Sequence, residues 1–289
     1  MKKIGLCLSV AFLLLFLVGD AEGENFASVP LFITGESEGS LSIDSPSGSN
    51  VETVAIASNE QDQQAVFKEL GRWSTGSLDV NSNLSGDWSG NTWVSSNRDA
   101  TVNIRYTIIQ DDNNLAAFEF TDVVAAGDTI EITGSSNIEL TNLGTSSLTL
   151  LIEASWTAQP GTPPPAPPAN TTILMEYGSS SRNTGVEISI SHVQIRGGGE
   201  PFVNEGQSEI TIYVKVYSVF GVDQILSNSK NSYELSMGPR DESIWESSVD
   251  SVSEKSSYME IQFLWSYEGK SLPAGDNDYD VSIKVSDIL

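Results

Sequence analysis

Cysteine and histidine are almost absent: the 289 residues hold one of each, Cys7 and His192. Cys7 lies in the apolar start of the chain, ahead of an expected cleavage. The exported portion then has no thiol for a disulfide, a thiolate metal site or a cysteine nucleophile. A serine nucleophile would depend on His192 alone, which extends the face of Val186, Ile188 and Ile190 and reads as a structural histidine. Positive charge is scarce as well: 14 Lys and Arg stand against 39 Asp and Glu, a net charge of -25. That field repels nucleic acid and anionic membrane surfaces, promotes solubility and favours divalent cations or a salty medium.

Long apolar runs are confined to one place. The opening "MKKIGLCLSVAFLLLFLVGDAEG" has two lysines, a run from Leu6 to Val18 and small residues at its exit. Residues 1–23 are expected to be a secretory signal peptide, too short for a comfortable membrane span. No second such run follows, so the expectation is a protein secreted to the outside or the cell surface, with no membrane insertion after cleavage.

Prolines are concentrated rather than spread. "PGTPPPAPP" at 160–168 holds six of the eleven and cannot enter a sheet or helix interior. Read as a linker over 159–170, it divides the chain into domains at 24–158 and 171–289, each of ordinary size. Before it, Val102, Ile104, Tyr106 and Ile108 alternate with polar residues. So do Ala116, Phe118 and Phe120, then Leu148, Leu150, Ile152, Ala154 and Trp156. Such alternation marks half-buried strands. "VPLFI", "LSI" and "VETVAIA" are weaker strand candidates. Ser58 and Gln61 at capping-box spacing, followed by Val66, Phe67, Leu70 and Gly71, predict one short helix. After the prolines, "TILMEY", the alternation at 186–190, 210–216, 259–265 and 279–285, and "YELSM" supply about seven strands. The predicted fold class is all-β: two antiparallel β-sandwich domains joined by a Pro-rich linker, the second immunoglobulin-like.

"LPAGDNDYDVSIKVSD" at the end resembles the last strand of immunoglobulin-like modules in secreted and surface proteins. Through "LSGDWSGNTW" and "TTILMEYGSSSRNTGV" the whole chain resembles secreted two-domain proteins of marine archaea with such a C-terminal sandwich. The resemblance implies export and no particular activity.

Few constellations carry chemistry. "SGDWSG" has tryptophan where a nucleophile elbow has serine, and "RGGGEP" lacks the lysine and hydroxyl of a phosphate loop and reads as a mobile turn. Asp276, Asp278 and Asp280 have a D-x-D-x-D spacing that suits calcium, the one cofactor the sequence suggests. Asp79, Asn81 and Asn83 have D-x-N-x-N, and both departures from the EF-hand loop also fit an Asx-rich turn. Asn83 and Asn170 open glycosylation sequons in predicted loops. Trp73, Trp88 and Trp93 fall within 21 positions. Trp73 and Trp93 adjoin apolar structure and are expected to be buried. Trp88, between Gly86 and Gly90, is expected on a turn, as a candidate ligand contact. The sequence thus points to a non-catalytic adhesion or ligand-binding protein whose partner is a cell-surface component, glycan or protein. A structural subunit of a surface layer or filament is the alternative, and a carbohydrate-active hydrolase a second one.

Overall fold

The computed structural model describes residues 26–35, 39–57, 63–159, 170–199, 209–225, 233–239, 245–246, 248–266 and 279–285. The chain is all-β: among the described residues the only helical turn is the 3-10 turn Val222–Gln224. It forms two compact units, Asn25–His192 and one that holds Val193–Leu289.

The first unit contains β1 (Ala27–Thr34), β2 (Ser40–Ser42), β3 (Glu52–Ala57), β4 (Gln63–Ser74), β5 (Ser82–Ser96) and β6 (Ala100–Gln110). It continues with β7 (Asn113–Val124), β8 (Thr129–Leu143), β9 (Thr149–Ala158), β10 (Thr172–Tyr177) and β11 (Gly185–Ile190). Hydrogen bonding joins all eleven into one sheet, which folds over at β2 into a sandwich. One layer runs β8-β5-β11-β1, with β10 and β3 alongside the second half of β5; the other runs β4-β9-β6-β7. Only the parallel pair Ser40 and Ser74 carries the sheet from β2 to β4.

Period-two alternation places one face of every strand inside. Val102, Ile104 and Tyr106 of β6 and Leu150, Ile152, Ala154 and Trp156 of β9 are buried, as are Ile132, Ile173, Met175 and Ile188 of the other layer. Aromatic pairs bridge the layers: Trp73 of β4 meets Tyr177 of β10 edge-on at 5.6 Å, and Trp88 of β5 meets Phe118 of β7 at 4.3 Å. Each such ring removes about 150–250 Å² from water, on the order of 4–6 kcal/mol at about 25 cal/mol per Å².

Three expectations are corrected here. First, the predicted helix gives way to β4, which pairs with β9. Its register slips twice, between Gln64 and Lys68 and between Glu69 and Gly71. The first slip inserts two residues and the second inserts one, so apolar positions lose their period of two and imitate helical spacing. Second, the chain does not divide at 159–170. β10 pairs with β3 and β5, and β11 with β1 and β5, so residues 172–190 complete the first sheet, and the boundary falls after His192. Third, Trp88 is 2% exposed, well inside β5 rather than on a turn. Gly86, at φ +97°, sits where the β5–β8 register shifts, and Gly90 makes room for a ring beneath it. Both glycines act within a strand.

The second unit contributes β12 (Val193–Gly199), β13 (Glu209–Ser218), β14 (Tyr233–Pro239), β15 (Trp245–Glu246), β16 (Ser248–Glu254), β17 (Met259–Ser266) and β18 (Tyr279–Val285). One sheet has the order β12-β13-β17-β16 and the other β15-β14-β18. Lettered in chain order with β15 as an extra C′ strand, the first of these has the order A-B-E-D and the second C′-C-F. Val214, Val216, Ile261 and Phe263 form the buried face of the first sheet. "RGGG" is not a turn, since Arg196–Gly199 pair with β13.

A groove on the outer face of the first unit

Along β5, residues 88, 90, 92, 94 and 96 point into the sandwich and 89, 91, 93 and 95 point away from it. The inward set contains Gly90, which pairs directly with Gly134 of β8. A methyl group at 90 would meet the Tyr106 ring at 2.4 Å, and one at 134 would meet Phe120 at 2.5 Å. With no side chains to hold the layers apart, the sheet settles onto these rings and its outer surface dips. Gly185 deepens the dip from outside. It pairs with Phe32 on one side and Asn91 on the other, and a side chain there would meet the Leu31 carbonyl oxygen at 2.5 Å.

The result is a groove of about 310 Å³ across β1, β11, β5 and β8. Its rows follow the register: Phe32, Gly185, Asn91 and Thr133 in one, Pro30, Glu187 and Ser89 in the next. Asn91 is held from several sides. Its Nδ2 donates to Glu131 Oε1 at 3.0 Å and to the Asn183 carbonyl at 3.2 Å, which leaves the amide oxygen as an acceptor. The Tyr106 hydroxyl donates to the Asn91 main-chain carbonyl at 2.8 Å from beneath and accepts from Thr92 Oγ1 at 2.6 Å. Burial pushes the Tyr106 phenol well above the usual range, so it remains protonated. Ser28 Oγ donates to Glu187 Oε1. Glu187 is the one charged residue in the lining.

Trp93 lies on the same outer face, beside Glu131 of β8 and Glu176 of β10, and is half-buried. The Arg182 guanidinium covers its ring at 4.2 Å and donates through Nε to Glu176 Oε2 at 2.8 Å. Thr129 Oγ1 holds the other oxygen of Glu176 at 3.1 Å. The ring is therefore already stacked, and no three-tryptophan platform forms: Trp73 is 0% exposed and Trp88 faces the core.

The other sequence candidates do not gather at the groove. Asn83 lies within β5, half-buried, and its carbonyl accepts from the Ser191 amide at 2.9 Å, so it is not in a loop. Asn170 is exposed just before β10. Asp79 and Asn81 are exposed on the approach to β5. Asp276 and Asp278 lie outside the described residues, and Asp280 stands in β18 opposite Gly238. Among the described residues no three His, Cys, Asp or Glu cluster as metal ligands would. His192 follows the end of β11 remote from Gly185, is 1% exposed, and burial holds its pKa below the ordinary value. Sequence reading missed the groove because each of its glycines resembles an ordinary turn residue. Only the pairing of 90 with 134 and of 185 with 91 brings them together.

No family model matches the chain, and no curated protein matches it. Among solved structures it is similar to two of a CocE/NonD family hydrolase from Staphylococcus aureus, at 10% and 11% identity and a TM-score of 0.41 each. These alignments cover 57% of this chain and 36% and 37% of the other. A third, an aminopeptidase from the marine sediment archaeon Thaumarchaeota archaeon, has 12% identity and a TM-score of 0.37 over 57% of this chain and 37% of that one. The chain thus spans little more than a third of the length of these proteins. At such TM-scores the likeness bears on neither fold nor activity.

Proposed function

We infer that this chain is a non-catalytic ligand-binding or adhesion protein that acts at a cell surface or outside the cell, with the groove of the first unit as its binding seat. The observation that carries this reading is the groove itself: about 310 Å³, at the low end of the small-molecule range of roughly 300–1,000 Å³, with convergent polar groups on one wall. It is built on four paired strands, and strands hold a binding geometry more firmly than loops do. Glycoside cleavage calls for two carboxyl groups flanking the bond, whereas the lining offers Glu187 as its single charged residue. The signal-like start and the acidic composition support an extracellular setting.

Titration calorimetry of the full chain against panels of oligosaccharides and peptides tests the reading. Binding should weaken at least tenfold in Asn91→Ala, which removes an orienting side chain worth roughly 1.4 kcal/mol or more. Binding that is indifferent to this variant would place the seat elsewhere. Growth of the sedimentation coefficient with concentration, without any ligand, would instead favour a subunit of a surface layer or filament.

A further inference from the structure

We propose that the groove takes a neutral, hydroxyl-rich ring at the end of an uncharged saccharide and rejects anionic polymers; the proposal rests on the groove being the binding seat. The lining is two-sided. Phe32 and Pro30 on β1 present apolar surface, and Ser89, Asn91 and Thr133 on β5 and β8 present hydroxyl and amide groups. A sugar ring has the same division, a C–H face that packs on an aromatic side chain and an edge of hydroxyls. A wholly apolar ligand would strip water from Glu187 and Asn91 without replacing their hydrogen bonds.

Charge decides between sugar classes. Glu187 has one oxygen engaged by Ser28, and as a carboxylate it can only accept. Two neighbouring hydroxyls can donate to it, whereas a uronate or sulfate would meet a like charge. Glu131, tied to Asn91 at 3.0 Å, adds a second negative charge beside the groove. The nearby cation cannot compensate, since Arg182 is bonded to Glu176 and stacked on Trp93.

A peptide is less suited for a geometric reason. Extended peptides bind by adding a strand to a sheet edge. Here the floor is the middle of a sheet, where Gly90 and Gly134 pair with each other and Val186 pairs with Gly90 from the other side. Between these strands no open ladder remains for a peptide backbone; the unpaired edge is the far side of β8, outside the floor. The small volume suits the end of a glycan chain rather than a long stretch of it.

The full chain, labelled with nitrogen-15, is titrated with neutral cello-, malto-, manno- and N-acetylchito-oligosaccharides, with anionic oligogalacturonate and oligoalginate, with cationic chitosan oligomers and with uncharged peptides. The expected result is binding within the neutral set, with amide shifts centred on Ser89, Asn91 and Gly185. Phe32→Leu keeps an apolar side chain but loses the ring, and should weaken that binding about tenfold. Glu187→Gln keeps an acceptor and should cost about three- to tenfold while easing the exclusion of the acidic sugars. Melting temperatures of both variants establish that they are folded. An anionic, cationic or peptide ligand that shifts the groove amides would overturn the saccharide assignment and leave the binding seat standing. Neutral sugars that bind without moving those amides, or a failure of every class to bind, would overturn both.

Discussion

A single methyl group decides the shape of the first unit at two positions. Alanine at 90 or 134 would press on Tyr106 or Phe120 at less than van der Waals distance, so Gly90→Ala and Gly134→Ala should each cost about 1–3 kcal/mol in urea unfolding. Both should also flatten the groove and weaken ligand binding. Trp88 makes the opposite point. Packed edge-on against Phe118, it should cost about 3–5 kcal/mol on replacement by Ala, and Trp88→Phe should leave the acrylamide-accessible fluorescence unchanged. Loss of the accessible signal would return Trp88 to the surface. His192 supplies a pH dependence. Its folded pKa lies below the ordinary value of about 6.5, so below that pH the unfolded chain binds the proton more readily and stability falls. The melting temperature should drop between about pH 7 and pH 5.5, and His192→Gln should flatten that slope. Of these residues Trp73 was legible in the sequence, since it adjoins an apolar run. Trp88 was not, because a glycine that turns the chain and a glycine that admits a neighbour's ring are spelled alike.

Strands with clean alternation were readable one by one. β6 carries five inward apolar residues and β9 four, each set in period two, and no helix can bury both ends of such a pattern. β4 was unreadable as a strand because its two register shifts break the period. Partnership was the harder matter. Nothing local in "TILMEY" says that it lies between β3 and β5, and nothing in "GVEISI" that it lies between β5 and β1. Residues 160–168 lie outside the described residues, and a Pro-rich stretch that cannot pair also serves as a connection within one sandwich. Two fragments separate these readings. Residues 25–192 should melt cooperatively, whereas a fragment ending at Ala158 lacks β10 and β11, leaves one edge of β5 and β1 unpaired, and should not. A cooperative transition in the shorter fragment would restore the division at the prolines.

At the scale of the molecule the net charge of -25 sets the conditions of stability. Self-repulsion among carboxylates strains the compact state, and salt screens it over about 8–10 Å at physiological strength. Raising sodium chloride from about 20 mM, where the screening length is more than twice as long, to physiological strength should raise the melting temperature. An unchanged value would mean that the acidic groups are too dispersed to matter. The all-β character of the second unit was legible from its alternation, while the eleven-stranded sheet of the first was not, because its closure depends on pairs distant in sequence. The pairing of β1 with β11 also fixes how the first unit answers to force. Ala27 stands opposite Ile190, so the chain enters and leaves this unit side by side along one antiparallel pair. Tension drawn between those two points loads that pair first and parts its bonds in succession instead of shearing them together. The unit should therefore peel open at low load from this seam, with the groove strand β11 among the first to be released from β1.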